Sequence, residues 1–310
     1  MHDYIGDRVG VDTKPIRRIA PTVFVANNAA VVVRYASHET MNFLERRRFR
    51  RLYYVIDDNL YCLGEGDGLP CDYRRRLLVY REKLLPRLLE ITTHVVSPSE
   101  EVLSHFPDKI RLRLDPTQCH ELGPLDHFEQ GRPVSMVFAA SRSHLEDLQM
   151  IEPALVALLR NNPSVTLTMF LGQHAPLSLQ RLPNVRNYAP MPWDVYRQFV
   201  RNNRFHLGIA PSRSTPFNRS RSISRFHDHA AYGAIGIYSD QAPFSGVVDH
   251  GRTGLLVGND TDSWYRILSE LVRRLGDIRH MAQEAARTSQ LLGDAARTEF
   301  FWRQQLSLPA

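Results

Sequence analysis

Between residues 134 and 258, five short apolar runs recur: VSMVFAA (134–140), VTLTMFLG (165–172), FHLGIAP (205–211), AIGIYSD (234–240) and GLLVG (254–258). Segments with helical periodicity separate them. After the first run, LEDLQMIEPALVALLR sets Leu148, Ile151, Leu155 and Leu158 at three- and four-residue spacing, the signature of one helix face. WDVYRQFVR and a stretch from about Ser222 to Tyr232 supply further helices. Strands that are apolar along their whole length are covered on both faces, and strands joined by helices run parallel. The pattern predicts a doubly wound α/β sheet, whose ligands sit at the C-terminal ends of the strands.

The first half is similar in kind and less regular. Strands are expected at 22–26, 30–35, 52–57 and 93–97, with helical stretches such as YRRRLLVYREKLLPRLLEI between them. Gly and Pro cluster in LGPLDHFEQGRP (122–133), which marks a boundary. The 310 residues suffice for two domains of about 150 each. The expected division is 1–131, a shortened α/β unit; 132–285, a second α/β unit; and 286–310, a C-terminal helix (AARTEFFWRQQL) that packs back on the first.

The formal charge of +6 points to an anionic partner, a description that nucleic acid, an acidic membrane and a phosphorylated ligand all meet. Three cysteines (Cys62, Cys71, Cys119) form no CxxC pair, so reduced thiols and a cytoplasmic location are expected. The sequence contains no apolar run of membrane-spanning length, and MHDYIGDRVG lacks a signal-peptide core.

The charge concentrates in PSRSTPFNRSRSISRFHDHAAYGAIGIYSD (211–240). With Ser220 or Ser222 as helix cap, Arg221, Arg225 and Asp228 fall at i, i+4 and i+7, within a ~60° sector of one face. The helix follows a strand, so its N-terminus should open into the ligand crevice and favour a diphosphate, with Asp228 placed for ribose hydroxyls. The competing reading is a solvated face with Arg225 and Asp228 paired at i, i+3.

This segment resembles the glycosyltransferase family 4 group of the GT-B fold: FN, a basic residue with Ser, a second basic residue, an acid, small residues and Gly before a strand ending Ser-Asp. FAASRSHLEDLQMIEPALVALLRNNPSVTLTMFLG and APFSGVVDHGRTGLLVGNDTDSWYRIL are similar to the opening and closing parts of that family's donor domain. YYVIDDNLYCL and THVVSPSEEVLSHFP resemble its acceptor domain, so the likeness spans roughly residues 20 to 275. The resemblance implies two Rossmann-like domains facing a cleft and a retaining, metal-independent sugar transfer in bacterial surface polysaccharide or glycoconjugate synthesis. The donor would be a UDP-, GDP- or dTDP-sugar and the acceptor a glycan or a lipid-linked glycan, with no cofactor. Arg221 and Arg225 stand where lysines hold the donor diphosphate, and Asp228 where a glutamate binds ribose. Asn218 belongs to the same motif, and Ser220 stands where the first glutamate usually contacts the sugar ring. Gly233 closes the helix.

Asp57 and Asp58, at a predicted strand end, have three readings: a metal-binding pair as in the GT-A fold, a cleft-lining pair facing donor sugar or acceptor, or helix caps. His227 and His229 diverge on a helix and are not read as metal ligands. Ser141, Arg142 and His144 follow the first strand of the second half, where Arg142 and His144 would contact phosphate or His144 would cap the helix. Gln173 and His174 end the next strand, near a base or ribose. The basic runs Arg46–Arg51 and Arg74–Arg76 are either solvated faces or contacts to anionic headgroups beside a lipid-linked acceptor. Three function classes stay open: the enzyme, a catalytically silent nucleotide-sugar-binding partner, and an arginine-rich nucleic-acid binder. The last is disfavoured because no exposed aromatics interleave the arginines.

Overall fold

The computed structural model describes residues 16–64, 66–118, 123–129 and 133–308; Cys119 and part of the expected boundary segment lie outside them. The strands form two six-stranded sheets. The first contains β1 (Arg17–Ala20), β2 (Val23–Ala26), β3 (Ala29–Val33), β4 (Arg51–Val55), β5 (His94–Ser97) and β6 (Ile110–Arg113), side by side in chain order. The pairs among β1, β2 and β3 are antiparallel, and those from β3 to β6 are parallel. The second contains β7 (Ser135–Phe138), β8 (Thr166–Met169), β9 (Val185–Asn187), β10 (Leu207–Ala210), β11 (Ile235–Ser239) and β12 (Leu255–Val257). Its order is β12-β11-β10-β7-β8-β9, all parallel. The chain winds outward from β7 one way, returns, and winds the other way from β10, so a crevice opens between the ends of β7 and β10.

The two strand orders have different consequences for covering the sheets. Parallel crossovers are right-handed, so strands added always on one side place their connecting helices on one face. In the first sheet, the helices His38–Arg47, Cys71–Lys83, Leu85–Ile91 and Glu100–Ser104 accordingly supply one core, where Met41, Leu44, Leu77 and Leu88 meet Val32, Leu52, Tyr54 and Val95. The opposite face, with Phe24, Val31, Tyr53, Val55 and Val96, is covered by Trp302 and Leu306 of the Ala295–Leu306 helix. Tyr53 OH donates to Gln305 O at 2.8 Å, and Asn27 Nδ2 donates to Leu306 O at 3.0 Å. In the second sheet the reversal of order puts apolar cores on both faces.

The Arg279–Leu292 helix packs on the second sheet through Met281 and Ala282. It runs through residue 285, and the chain breaks at Gly293 before crossing over, later than the sequence suggested. Edge strands β1, β6 and β9 escaped the sequence reading. RRIA, IRLR and VRN point their charged side chains outward and lack an apolar run. Gly233, φ 67°, ends the Ser224–Ala231 helix in the left-handed conformation, as expected. Gly208 in β10 lets that helix lie close, because a Cβ there would come within 2.5 Å of the His229 ring. None of the described helices is long and apolar enough to cross a membrane.

Candidate donor-binding cleft

The crevice at the ends of β7 and β10 enlarges into a cleft of about 430 Å³. Arg34 follows β3, Asp57 and Asp58 follow β4, and all three close the cleft from the first sheet. The other wall carries Ser141, His144, Arg221, Arg225 and Asp228.

The local structure of 211–231 differs from the expected single helix. Thr215 caps a short turn, Pro216–Arg219, by accepting from Asn218 N at 3.1 Å, and Pro216 presets its first residue. That turn ends at Ser220, whose hydroxyl donates to Pro216 O at 3.0 Å. Ser220 is 1% exposed and is not among the residues lining the cleft. The structure therefore corrects its assignment as a donor contact: its hydroxyl is spent on the preceding turn. The next helix begins at Ser224, with neither Ser220 nor Ser222 as its cap. Arg221 thus lies in the connection rather than on the helix face with Arg225 and Asp228, yet all three line the cleft. No side chain caps the helix, so its first N–H groups and dipole are available to an anion beside the two guanidiniums. Arg225 Nη1 pairs with Asp228 Oδ2 at 3.0 Å, the i, i+3 contact weighed from sequence.

Asp147 organises this wall and was not singled out from sequence, although it stands three residues after His144. It is 1% exposed. Its Oδ1 accepts from Arg213 N and Asn218 Nδ2, both at 2.8 Å, and its Oδ2 lies 3.0 Å from His144 Nδ1. Asn218 therefore pins the loop after β10 besides lining the cleft. The carboxylate partner places the His144 proton on Nδ1 and leaves Nε2 to accept from Arg221 Nη1. Arg221 stacks over Phe217 at 4.9 Å, and its Nε is buried without a hydrogen-bond partner among the described residues. Burial, then the charge of Arg221, pushes the His144 pKa down to about 3. His144 is thus neutral and orients Arg221; it does not offer the cationic phosphate contact expected from sequence.

Arg142 also departs from expectation. Its guanidinium pairs with Asp72 of the first half, donates to His174 Nε2 at 3.3 Å, and is not a lining residue. Gln173 is exposed and, like His174, lies outside the lining. Arg213 is engaged by Glu146. His227 and His229 diverge as expected. His227 Nδ1 bonds Ser289 Oγ at 2.8 Å, and His229 Nδ1 bonds Tyr238 OH at 3.0 Å.

Across the cleft, Arg34 Nε donates to Asp57 Oδ1 at 2.6 Å and Nη2 donates to Oδ2. Burial pushes the Asp57 carboxyl up, but the Arg34 charge and its paired hydrogen bonds hold it below the ordinary value. Asp58 is raised, first by burial and then by the charge of Asp57. Of the three sequence readings, the cleft-lining one matches this placement, and Asn59 instead caps the Leu60–Cys62 turn. The apolar end of the cleft, with Phe170, Met191, Trp193 and Tyr196, was not foreseen. WDVYRQF carried the signal, as an aromatic helix start following a strand.

The buried histidines predict a pH dependence. His229, like His144, is pushed by burial to about 3 from 6.5. As pH falls below about 6.5, the unfolded chain takes up protons that the folded state refuses. Stability is therefore complete above that pH and declines toward pH 3, by roughly 1 kcal/mol per pH unit for each histidine. Urea denaturation at pH 7 and pH 5 should show the loss, and His144→Gln should reduce it. Equal stability at both values would contradict the neutral assignment.

No protein-family model matches the chain, and no curated protein matches it. Solved structures do. Anabaena HepE, in complex with UDP and glucose, superposes with a TM-score of 0.61 at 12% identity, over 89% of this chain and 77% of its own. Sucrose-phosphate synthase from Thermosynechococcus elongatus gives 0.58 at 13%, over 86% and 71%. The UDP-forming α,α-trehalose-phosphate synthase from Burkholderia vietnamiensis gives 0.56 at 10%, over 89% and 74%. Similarity at this identity lies in the fold, and its coverage of 86–89% of the chain takes in both sheets. The chain therefore has the GT-B fold, two Rossmann-like units facing a cleft, which it shares with these glycosyltransferases.

Proposed function

We propose that the protein is a glycosyltransferase that moves a sugar from a nucleotide-sugar donor to a glycan or lipid-linked acceptor. The observation that carries this reading is the convergence of Arg221, Arg225 and an uncapped helix N-terminus on the switch-point crevice of the second sheet. Two fixed cations and a helix dipole suit a diphosphate, and they matter most as charge grows on the departing nucleoside diphosphate. Asp228 accepts from the ribose hydroxyls, and the base lies toward Trp193 and Tyr196. Asp57 and Asp58 face the sugar and the acceptor from the other wall. Transfer with retention and without a divalent metal follows from the family resemblance, and the paired arginines are consistent with charge compensation by protein groups.

Anabaena HepE is in complex with UDP and glucose, which makes UDP-sugars the first donors to test ahead of GDP- and dTDP-sugars. A lipid-linked acceptor, in a pathway for surface glycans, fits the exposed Arg46, Arg47, Arg48 and Arg50 near Phe43, itself 42% exposed. These residues would meet anionic headgroups. Arg74 is withdrawn from that role by its 2.7 Å ion pair with Asp67, leaving Arg75 and Arg76.

A thermal-shift screen of UDP, GDP, CMP, dTDP and their sugars tests the reading. A ligand at 100 times its Kd adds ~2.7 kcal/mol of stability, so one base should raise the melting temperature clearly. Release of that nucleotide on addition of acceptor then separates an enzyme from a silent binding partner. A protein whose melt no nucleotide moves is not a nucleotide-sugar enzyme.

A further inference from the structure

We propose that Asp58 determines donor-sugar specificity, its carboxylate accepting hydrogen bonds from hydroxyl groups of an uncharged transferred sugar; this rests on the nucleotide-sugar reading above. Among the described residues lining the cleft, the carboxylates are Asp57, Asp58 and Asp228. Asp57 is held by both arms of Arg34, and Asp228 by Arg225. Asp58 forms no ion pair among the described residues, and it receives a hydrogen bond from Tyr35 OH at 3.2 Å. A carboxylate has about four acceptor sites, and one that is 8% exposed is costly to leave underused.

The position of Asp58 is built. Beyond β4, Ile56 N–H donates to Val96 O at 2.9 Å, and Asp57 and Asp58 follow at that strand end, both lining the cleft. Asp57 faces Arg34, whose left-handed backbone (φ 62°) is held by its N–H to Val55 O at 2.8 Å and by Tyr54 OH to its carbonyl at 3.1 Å. With Arg34 committed to Asp57, Asp58 is left to the cavity. Arg221 lines the same cleft from the opposite wall, so a sugar joined to a diphosphate held there can reach Asp58. With the Asp57 charge compensated by Arg34, the Asp58 carboxylate favours a hydroxyl-bearing neutral sugar and repels a uronic acid.

Titration calorimetry with UDP, UDP-glucose and UDP-glucuronate, or the same set on whichever base the screen selects, tests this. Wild type should bind UDP and UDP-glucose and discriminate against UDP-glucuronate. Asp58→Ala should weaken UDP-glucose roughly 10- to 100-fold, leave UDP within about twofold, and narrow the discrimination. Asp58→Asn keeps the volume and should show the same pattern if the alanine variant does not fold. Equal loss for UDP and UDP-glucose would make Asp58 structural, and no loss, or a rise in acceptor KM alone, would equally overturn the proposal. If wild type binds no nucleotide, the nucleotide-sugar reading fails first and is recognised as the cause.

Discussion

Arg221→Ala should lower donor turnover roughly 10- to 150-fold, and Arg225→Ala by a similar factor. Each removes a charge-assisted hydrogen bond, worth ~1.5–3 kcal/mol, at the oxygens where the leaving group gathers charge. Both side chains lie at the cleft rather than in the apolar cores, so the melting temperature should change little. Arg221→Ala sacrifices its stacking on Phe217, worth roughly 0.5–1 kcal/mol, and its hydrogen bond to His144 Nε2, worth about 1 kcal/mol. Arg225→Lys keeps the charge but loses the planar fork, and should retain more activity than alanine. The double variant should fall short of the product of the single effects, because both cations serve one diphosphate. Single-turnover rates with a labelled donor would measure all of these. Unchanged rates in both alanine variants would remove the site from the second sheet.

Trp302→Ala should destabilise the protein by ~3–5 kcal/mol, the usual cost of truncating a fully buried tryptophan. Trp302 is 1% exposed, its ring meets Tyr53 at 5.8 Å, and it covers a sheet face that no helix of the first half reaches. The loss should be local before it is global. Backbone amides of β3, β4 and β5 should exchange faster, while those of β7, β8 and β10 keep their protection. Urea denaturation gives the total, and hydrogen exchange gives its distribution. A loss shared equally by both sheets would mean that the helix does not act chiefly on the first.

The sequence made visible those elements whose burial shows in composition. β7 and β10 are covered on both faces and so read as unbroken apolar runs, whereas β1 and β6 lie at an edge and carry arginines into solvent. The arginines of the cleft were legible because their charge is concentrated in a few residues after a strand. What could not be read is what each polar group was already doing. Ser220 is used by the turn it ends, and Arg142 is claimed by Asp72 seventy positions away. Asp57 is claimed by Arg34 from the neighbouring strand's end. Asp147 is one of two acids in the first turn of its helix, and only the convergence of Arg213, Asn218 and His144 on it reveals its role.

The cover over the first sheet also sets a schedule. During synthesis, Phe24, Val31, Tyr53 and Val96 are made early, and the tryptophan that shields them follows some two hundred residues later. A sheet that folded before then would leave one apolar face open to any neighbour. Chains cut short before residue 295 should therefore aggregate more readily than chains that carry the Ala295–Leu306 helix.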